Sequence, residues 1–408
     1  MLSNHSFGKS LCGALILLAL TACGSLTRQQ LDPVDQPRLG LVHGGDLQAE
    51  VDALALPLID ARHTPGLVVG VLSADGQKYF FGYGITDQQS QRQPDGATLF
   101  AVGSLSKGFV GDTAALLVQD GLLHWDDDLE HLLPVGTPLS DDAKKITLLQ
   151  LATHTAGLPR QPMTPQTLRY FVEYLFTGNS FYRHFDDTYL LNYLAEFESP
   201  DPLEPQYSNI GYALLTHVLE LSSGKQLDAL VQERILAPLG LHHTGYQPRN
   251  LAGYPERARG HAGDQPKFIR RGQPVPDWQF TDILQGSAAL YSNAEDLLDY
   301  AAAHLHGSAD SRLDAALRDT LQVRIERPRE APAVAWIVDD IRGEKISYQV
   351  GLVAGYASYL GLDTRHKTAV VVLQNSFNWT NSIGHRLLLR MATTLEKQRN
   401  GALHVTRP

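Results

Sequence analysis

Phe100-Ala101-Val102-Gly103-Ser104-Leu105-Ser106-Lys107-Gly108-Phe109 is the stretch on which the reading of this chain turns. The apolar spacing predicts a helix over 104–119, with Leu105, Phe109, Ala114, Leu116 and Leu117 toward a core. A separation of three on a helix puts Ser104 and Lys107 on one face, with their side chains in reach. A serine hydroxyl is a weak nucleophile until a neighbouring base or cation helps remove its proton. A buried lysine can serve as that base near neutrality, or steady the alkoxide if it stays charged. Ser104 at the helix start would also feel the N-terminal dipole.

Ser-x-x-Lys alone is weak evidence, since it recurs at Ser6–Lys9 and Ser222–Lys225. The second of these contains Gly224 at an expected helix end, where glycine acts as a C-cap. Only the 104–107 copy opens an apolar-periodic helix. A second element, Tyr207-Ser208-Asn209, also precedes such a helix, with Ile210, Leu214, Leu215, Val218 and Leu219 in phase. A tyrosine held near cations can act as a general base, and an asparagine amide can hold a substrate carbonyl. Tyr291-Ser292-Asn293 repeats the tripeptide, but Ser292-x-x-Glu295 reads as a capping box opening a helix over 293–305.

Around these elements the pattern is mixed. Helical spacing covers 46–61, although Pro57 weakens it, and recurs at 168–176, 209–221, 226–237 and 382–396. Leu67–Leu72 and Gln77–Tyr83 flank the turn dipeptide Asp75-Gly76, a hairpin signature. β-branched and aromatic runs return at Val334–Val338, Lys345–Val350, Ser358–Leu362 and Thr368–Leu373. Strands near both ends with helices between predict an α+β fold: one sheet assembled from the two ends of the chain, with a helical insertion over about 121–280. The catalytic unit is expected over 46–398, followed by a tail over 399–408.

The chain has 408 residues and a net charge of −10, from 34 Lys+Arg and 44 Asp+Glu. That acidity argues against a nucleic-acid partner, which calls for a basic face. Two cysteines exclude a disulfide scaffold or a cysteine-rich zinc fold. Lys9, the apolar run Leu11–Leu20 and Leu20-Thr21-Ala22-Cys23 read as a secretory leader over 1–22. Leu20–Cys23 resembles the lipobox of bacterial lipoproteins. That resemblance implies a lipidated Cys23, membrane attachment through acyl chains, and an exported, periplasm-facing protein. Gly24 in the next position favours the outer membrane. Residues 23–45 then read as a tether, and no thiol is left for chemistry. His242-His243 and His304-x-His306 form no metal-ligand array, so no metal is expected.

Taken together, these segments resemble the serine β-lactamase and penicillin-binding-protein superfamily, in its class C branch. The similarity also runs through Pro65–Val71, Ile146-Thr147-Leu148-Leu149-Gln150-Leu151-Ala152-Thr153-His154-Thr155-Ala156-Gly157-Leu158-Pro159, Pro238-Leu239-Gly240-Leu241 and Leu290–Leu297. It implies an antiparallel sheet flanked by helices, an all-helical subdomain, and an active site between them that needs no cofactor. By the same resemblance Ser104 is the acylated nucleophile, Lys107 and Tyr207 share the proton transfers, and Asn209 orients the substrate.

The family's third element, usually Lys-Thr-Gly or His-x-Gly on an edge strand, falls on Gln349-Val350-Gly351 when anchored on Gly355–Tyr359. Gln349 keeps hydrogen-bonding capacity without the cation, Val350 lacks a hydroxyl, and Gly351 suits a strand with substrate against its backbone. The backbone N–H groups of Ser104 and Leu352 could still form an oxyanion hole. His243-Thr244-Gly245 and Lys367-Thr368 are declined as substitutes, being a loop and a turn. Arg160 reads as a solvated loop arginine, with replacement cation as the alternative. The expected substrate is a small molecule or peptide, a β-lactam or a D-alanyl amide. The alternatives are a carboxylesterase favoured by Gln349-Val350, or a non-catalytic muropeptide-binding relative.

Overall fold

A computed structural model describes residue 26 and residues 39–42, 46–380 and 382–405. The leader and Cys23 therefore lie outside the described residues. Chain order gives α1 (Leu47–Asp60), β1 (Gly66–Leu72), β2 (Lys78–Gly84), β3 (Phe100–Ala101) and α2 (Ser106–Gln119). In the helical stretch that follows, α3 (Pro165–Thr177) and α4 (Asn209–Ser223) are the long elements. After β4 (Tyr291–Ser292) and α5 (Ala294–His306) come β5 (Ala331–Pro332), β6 (Ile337–Ile341), β7 (Glu344–Val353), β8 (Tyr356–Asp363), β9 (Thr368–Gln374) and α6 (Ile383–Val405).

The sheet is seven-stranded and antiparallel in the order β2-β1-β9-β8-β7-β6-β5, so β1, from the front of the chain, pairs with β9, from its end. Both faces of β1 are buried, and alternation sorts its side chains between two cores. Leu67, Val69 and Val71 join Val51, Ala55, Leu387 and Leu388 from α1 and α6. Val68 and Leu72 face the larger core, where Leu298 of α5 packs within van der Waals reach of Gly70. Burial on both faces explains why β1 and β9 are unbroken apolar runs rather than alternating ones. Two helical layers thus sandwich the sheet, with α2 reaching the edge of β7 through the turn that precedes it.

Three local expectations shift. The helix over 293–305 is capped by Asn293, whose side chain accepts from Asp296 N–H, while Ser292 belongs to β4 opposite Phe100. The strand expected over 334–338 is β6, beginning at Ile337, because Val334 and Ala335 instead donate their N–H groups to Thr320 and Ala152 carbonyls. Pro57 sits inside α1 without ending it, since Val51 and Ala55 anchor that helix to the sheet. Two further points concern the chain ends. Leu26 is buried with its N–H on Glu330 Oε2 at 2.9 Å, and Leu41 N–H donates to Thr394 Oγ1 at 2.8 Å. Leu26 and Leu41 of the expected tether therefore lie against the body, while Leu39 and Val42 are exposed. The final helix runs on to Val405, into the segment expected as a tail.

Candidate active site

Gly103 adopts φ +55, a left-handed conformation that suits glycine, and opens a 3-10 turn over Gly103–Leu105 that leads into α2. Ser106 fixes this turn: its hydroxyl donates to Gly103 O at 2.6 Å and accepts from Leu290 N–H at 3.0 Å. The half-buried Ser104 stands at the head of α2, and Lys107 is buried one turn along. Lys107 Nζ lies 3.3 Å from Ser104 Oγ, 2.9 Å from Asn209 Oδ1 and 2.6 Å from Ser287 O.

These three contacts define a donor inventory. Asn209 Nδ2 donates to the Tyr182 hydroxyl at 2.7 Å, which turns Oδ1 toward Lys107. Asn209 Oδ1 and Ser287 O can only accept, whereas the Ser104 hydroxyl can donate. A neutral amine, with two N–H donors and one lone pair, satisfies all three. Burial holds Lys107 well below the usual lysine range, and the nearby Arg160 charge pushes it the same way.

Tyr207 immediately precedes α4, whose cap is Ser208. Its ring lies 4.4 Å from that of His154, 4.2 Å from the Arg160 guanidinium and 4.8 Å from Lys107 Nζ. The Tyr207 hydroxyl is buried and faces the Ser104 hydroxyl. Burial pushes its pKa up to about 12, against the opposing influence of Arg160 and the Ser104 hydroxyl. His154, at φ +61, accepts Ser208 N–H on Nδ1 at 3.1 Å. Burial foremost, with the positive charges of Arg160 and of Lys107 whenever it is protonated, holds it well below the usual histidine range, so it is neutral.

The cleft beside Ser104 has a volume of about 360 Å³ and includes Arg160, Tyr207, Asn209, Val350 and Leu352 in its walls. Much of the remainder is aromatic, with Trp278 against Tyr182 and Trp379 against Phe377. β6 pairs with β7 only over 344–348, so among the described residues no strand pairs with the edge of 349–353 beside Ser104.

The four residues expected from the β7 element, Gln349 to Leu352, part company here. Val350 and Leu352 reach the cleft. Gln349 does not: its amide is buried against Gly108 of α2 and the Tyr300 hydroxyl, on the opposite face of the strand. The expectation that Gln349 touches substrate is thereby corrected, because alternation along β7 gives the cleft to even-numbered residues. Gly351 is needed for the protein's own packing. A Cβ there would meet Val102 O at 2.1 Å and Ser104 N at 3.1 Å. Gly351→Ala is therefore expected to displace the 102–104 turn and destabilise the fold by about 1–3 kcal/mol. Thermal unfolding and the rate of Ser104 acylation check this, and an unchanged acylation rate would contradict it.

Arg160 is in the cleft wall and not in a solvated loop, a second correction. Residue spacing gave no sign of Ser287 or Tyr182 as partners of the site. Ser287 acts through its carbonyl, which carries no side-chain signature. The declined motifs stay apart: Thr244 bonds Ser292 and Asp296, Lys367 occupies a turn, and Gly224 caps α4 with φ +68. Among the described residues one group, Glu344, Asp363 and His366, is close enough to hold a metal, at the end of β7 and β8 away from Ser104. Arg365 already pairs with Glu344 there.

A nucleophile in the turn that leads into α2, an amine base in the first turn of α2, a buried phenol, an oriented amide and a strand edge that is unpaired among the described residues make an acyl-transfer site of the kind that serine enzymes use. The chain belongs to the Beta-lactamase family, whose model matches residues 51–392. A β-lactamase of Providencia stuartii is 28% identical over 255 residues, covering 62% of this chain and 59% of its own. The D-alanyl-D-alanine-carboxypeptidase/endopeptidase AmpH of Escherichia coli K12 is 26% identical over 246 residues, covering 58% and 57%. The chain thus spans under two thirds of the length of these relatives. The crystal structure of a class C β-lactamase from Rhodobacter sphaeroides superposes with a TM-score of 0.70 at 23% identity, covering 85% of this chain and 99% of that one. That likeness concerns the fold.

Proposed function

We propose that the protein is a serine hydrolase that works through an acyl-enzyme on Ser104, acting on β-lactams or on D-alanyl amide bonds of the peptidoglycan type. The observation that carries this reading is the Lys107 amine, buried 3.3 Å from Ser104 Oγ with its two other contacts on obligate acceptors. Neutral Lys107 takes the Ser104 proton as Oγ attacks the carbonyl carbon. The oxygen of the tetrahedral intermediate sits between the backbone N–H groups of Ser104 and Leu352. Tyr207, held protonated by burial, supplies a proton to the departing amine, and the protonated Lys107 then returns a proton to the Tyr207 phenolate, so that both groups regain their starting charge while Ser104 carries the acyl ester. Water then enters by the reverse sequence and releases the acid. Asn209 keeps the Lys107 lone pair aimed at Ser104 and presents its amide at the cleft wall.

The relatives named β-lactamase and D-alanyl-D-alanine-carboxypeptidase support the substrate class. One feature favours a carboxylesterase as second reading: the position usually held by a substrate-binding hydroxyl is Val350, in a cleft with aromatic walls. Val350→Thr is expected to raise kcat/KM for a carboxylate-bearing penicillin by up to about tenfold, the value of one added hydrogen bond. A short-chain nitrophenyl ester should be unaffected. Equal rates for both proteins on penicillin would assign the preference to the aromatic walls instead.

The working test is product release from a penicillin, a carbapenem, a D-Ala-D-Ala peptide and the nitrophenyl ester. Turnover of the ester alone selects the esterase, and turnover of none leaves the muropeptide-binding alternative. The lipobox-like Leu20–Cys23 supports a further part of the proposal, an exported lipoprotein held at the outer membrane and facing the periplasm. Among the described residues no helix is long and apolar enough to cross a membrane.

A further inference from the structure

The chain places a guanidinium beside the Lys107 amine and the Tyr207 phenol. Arg160 stands with its guanidinium carbon 4.2 Å from the centre of the Tyr207 ring, and its position is not left to a free loop. Asn209 N–H donates to Arg160 O at 3.2 Å, and Ser208 Oγ donates to Pro159 O at 2.8 Å. The segment that carries Arg160 is thus stapled to the segment that carries Tyr207 by two hydrogen bonds. We propose that Arg160 is an electrostatic positioning residue, whose fixed charge favours loss of a proton from the Lys107–Tyr207 pair and so sets the pH at which Ser104 becomes acylable.

The groups facing Tyr207 can be named from each element around it. Lys107 comes from α2, His154 and Arg160 from the segment after the Leu148–Ala152 helix, Tyr182 from the turn after α3, and Tyr212 from α4. His154 is neutral, Tyr182 and Tyr212 are phenols, and Lys107 is itself one of the titrating pair. Arg160 is therefore the permanent charge in this set, since a guanidinium does not deprotonate in a protein. A fixed positive charge at this range opposes protonation of both partners, lowering Lys107 and Tyr207 together. Protein-mediated recognition of a substrate carboxylate is the competing role for an arginine in a cleft wall. It predicts a different pattern.

The inference rests on the acyl-enzyme reading, and one experiment separates the two. Acylation of Ser104 is followed by intact mass and by product release across pH, with the uncharged nitrophenyl ester and a penicillin as probes, in the wild type, Arg160→Gln and Arg160→Lys. The acidic limb of kcat/KM is expected to move upward by about one pH unit in Arg160→Gln for both probes, so that rates fall about tenfold below the limb. The alkaline plateau should change by a few-fold at most, and Arg160→Lys should restore most of the shift. A limb that does not move overturns the proposal, as does a loss that is uniform across pH, which marks a purely structural role. A rise in KM confined to the penicillin with the limb unmoved overturns it in favour of carboxylate recognition. No acylation of the wild-type Ser104 by either probe or by a D-Ala-D-Ala peptide removes the proposed function, and this inference with it.

Discussion

Ser104→Ala is expected to lower kcat/KM by at least about a thousandfold on every substrate that the wild type turns over, while leaving the fold intact. Both halves follow from where Ser104 sits. It is half-buried in the turn before α2, and the hydroxyl that holds that turn together belongs to Ser106, not Ser104. Removing one oxygen from Ser104 costs Lys107 a contact at 3.3 Å but keeps its two shorter ones. Unfolding temperatures of the variant and the wild type should therefore agree within a few degrees. Ground-state binding of substrate should survive as well, because the walls of the cleft are untouched. A variant that kept more than about a tenth of the activity would mean that another group attacks the carbonyl.

The second large effect separates activity from stability. Lys107→Met removes the proton acceptor, and a loss of about a hundredfold to ten-thousandfold in kcat is expected, the usual worth of a positioned general base. The same change should stabilise the protein at neutral pH. A buried lysine with a lowered folded-state pKa binds fewer protons than the unfolded chain does between the two values, so stability rises with pH through that window. Below it the wild type carries a penalty that methionine, of similar length and without charge, does not. The advantage of Lys107→Met should accordingly fade as pH climbs toward the ordinary lysine range, where the unfolded chain is neutral too. Denaturant unfolding at neutral and alkaline pH checks the sign. A variant less stable than the wild type at neutral pH would show that the contacts to Asn209 and Ser287 outweigh the desolvation of the amine.

Much of the site was legible because its chemistry is local. Spacing put Ser104 and Lys107 within reach of each other, whereas Tyr207 and Asn209, which flank the Ser208 cap, were joined to them by the family resemblance, since Tyr291-Ser292-Asn293 offers the same tripeptide. The sheet was legible for a related reason, since β1 and β9 are buried on both faces and show it as unbroken apolar runs. What sequence could not resolve was single-residue register and long-range stapling. Gln349 and Val350 are adjacent, and strand alternation sends one into the core behind α2 and the other to the cleft. Ser292 and Asn293 are both good caps, and the pairing of β4 with β3 decides that the second one serves. Arg160 follows a Gly-Leu-Pro turn, the signature of an exposed loop. Hydrogen bonds from Ser208 to Pro159 O and from Asn209 to Arg160 O, far along the chain, help hold it against Tyr207.

The central claim is that Ser104 forms a covalent ester with the acyl part of the substrate. Intact-mass measurement after rapid quenching, with peptide mapping of the modified species, reads this directly. A penicillin, a D-Ala-D-Ala peptide and a nitrophenyl ester serve as the acyl donors. The account predicts, for at least one of them, a mass increase equal to the acyl group, located on the peptide that contains Ser104 and absent from Ser104→Ala. Release of product without any such adduct on Ser104, or an adduct that persists in Ser104→Ala, would contradict it.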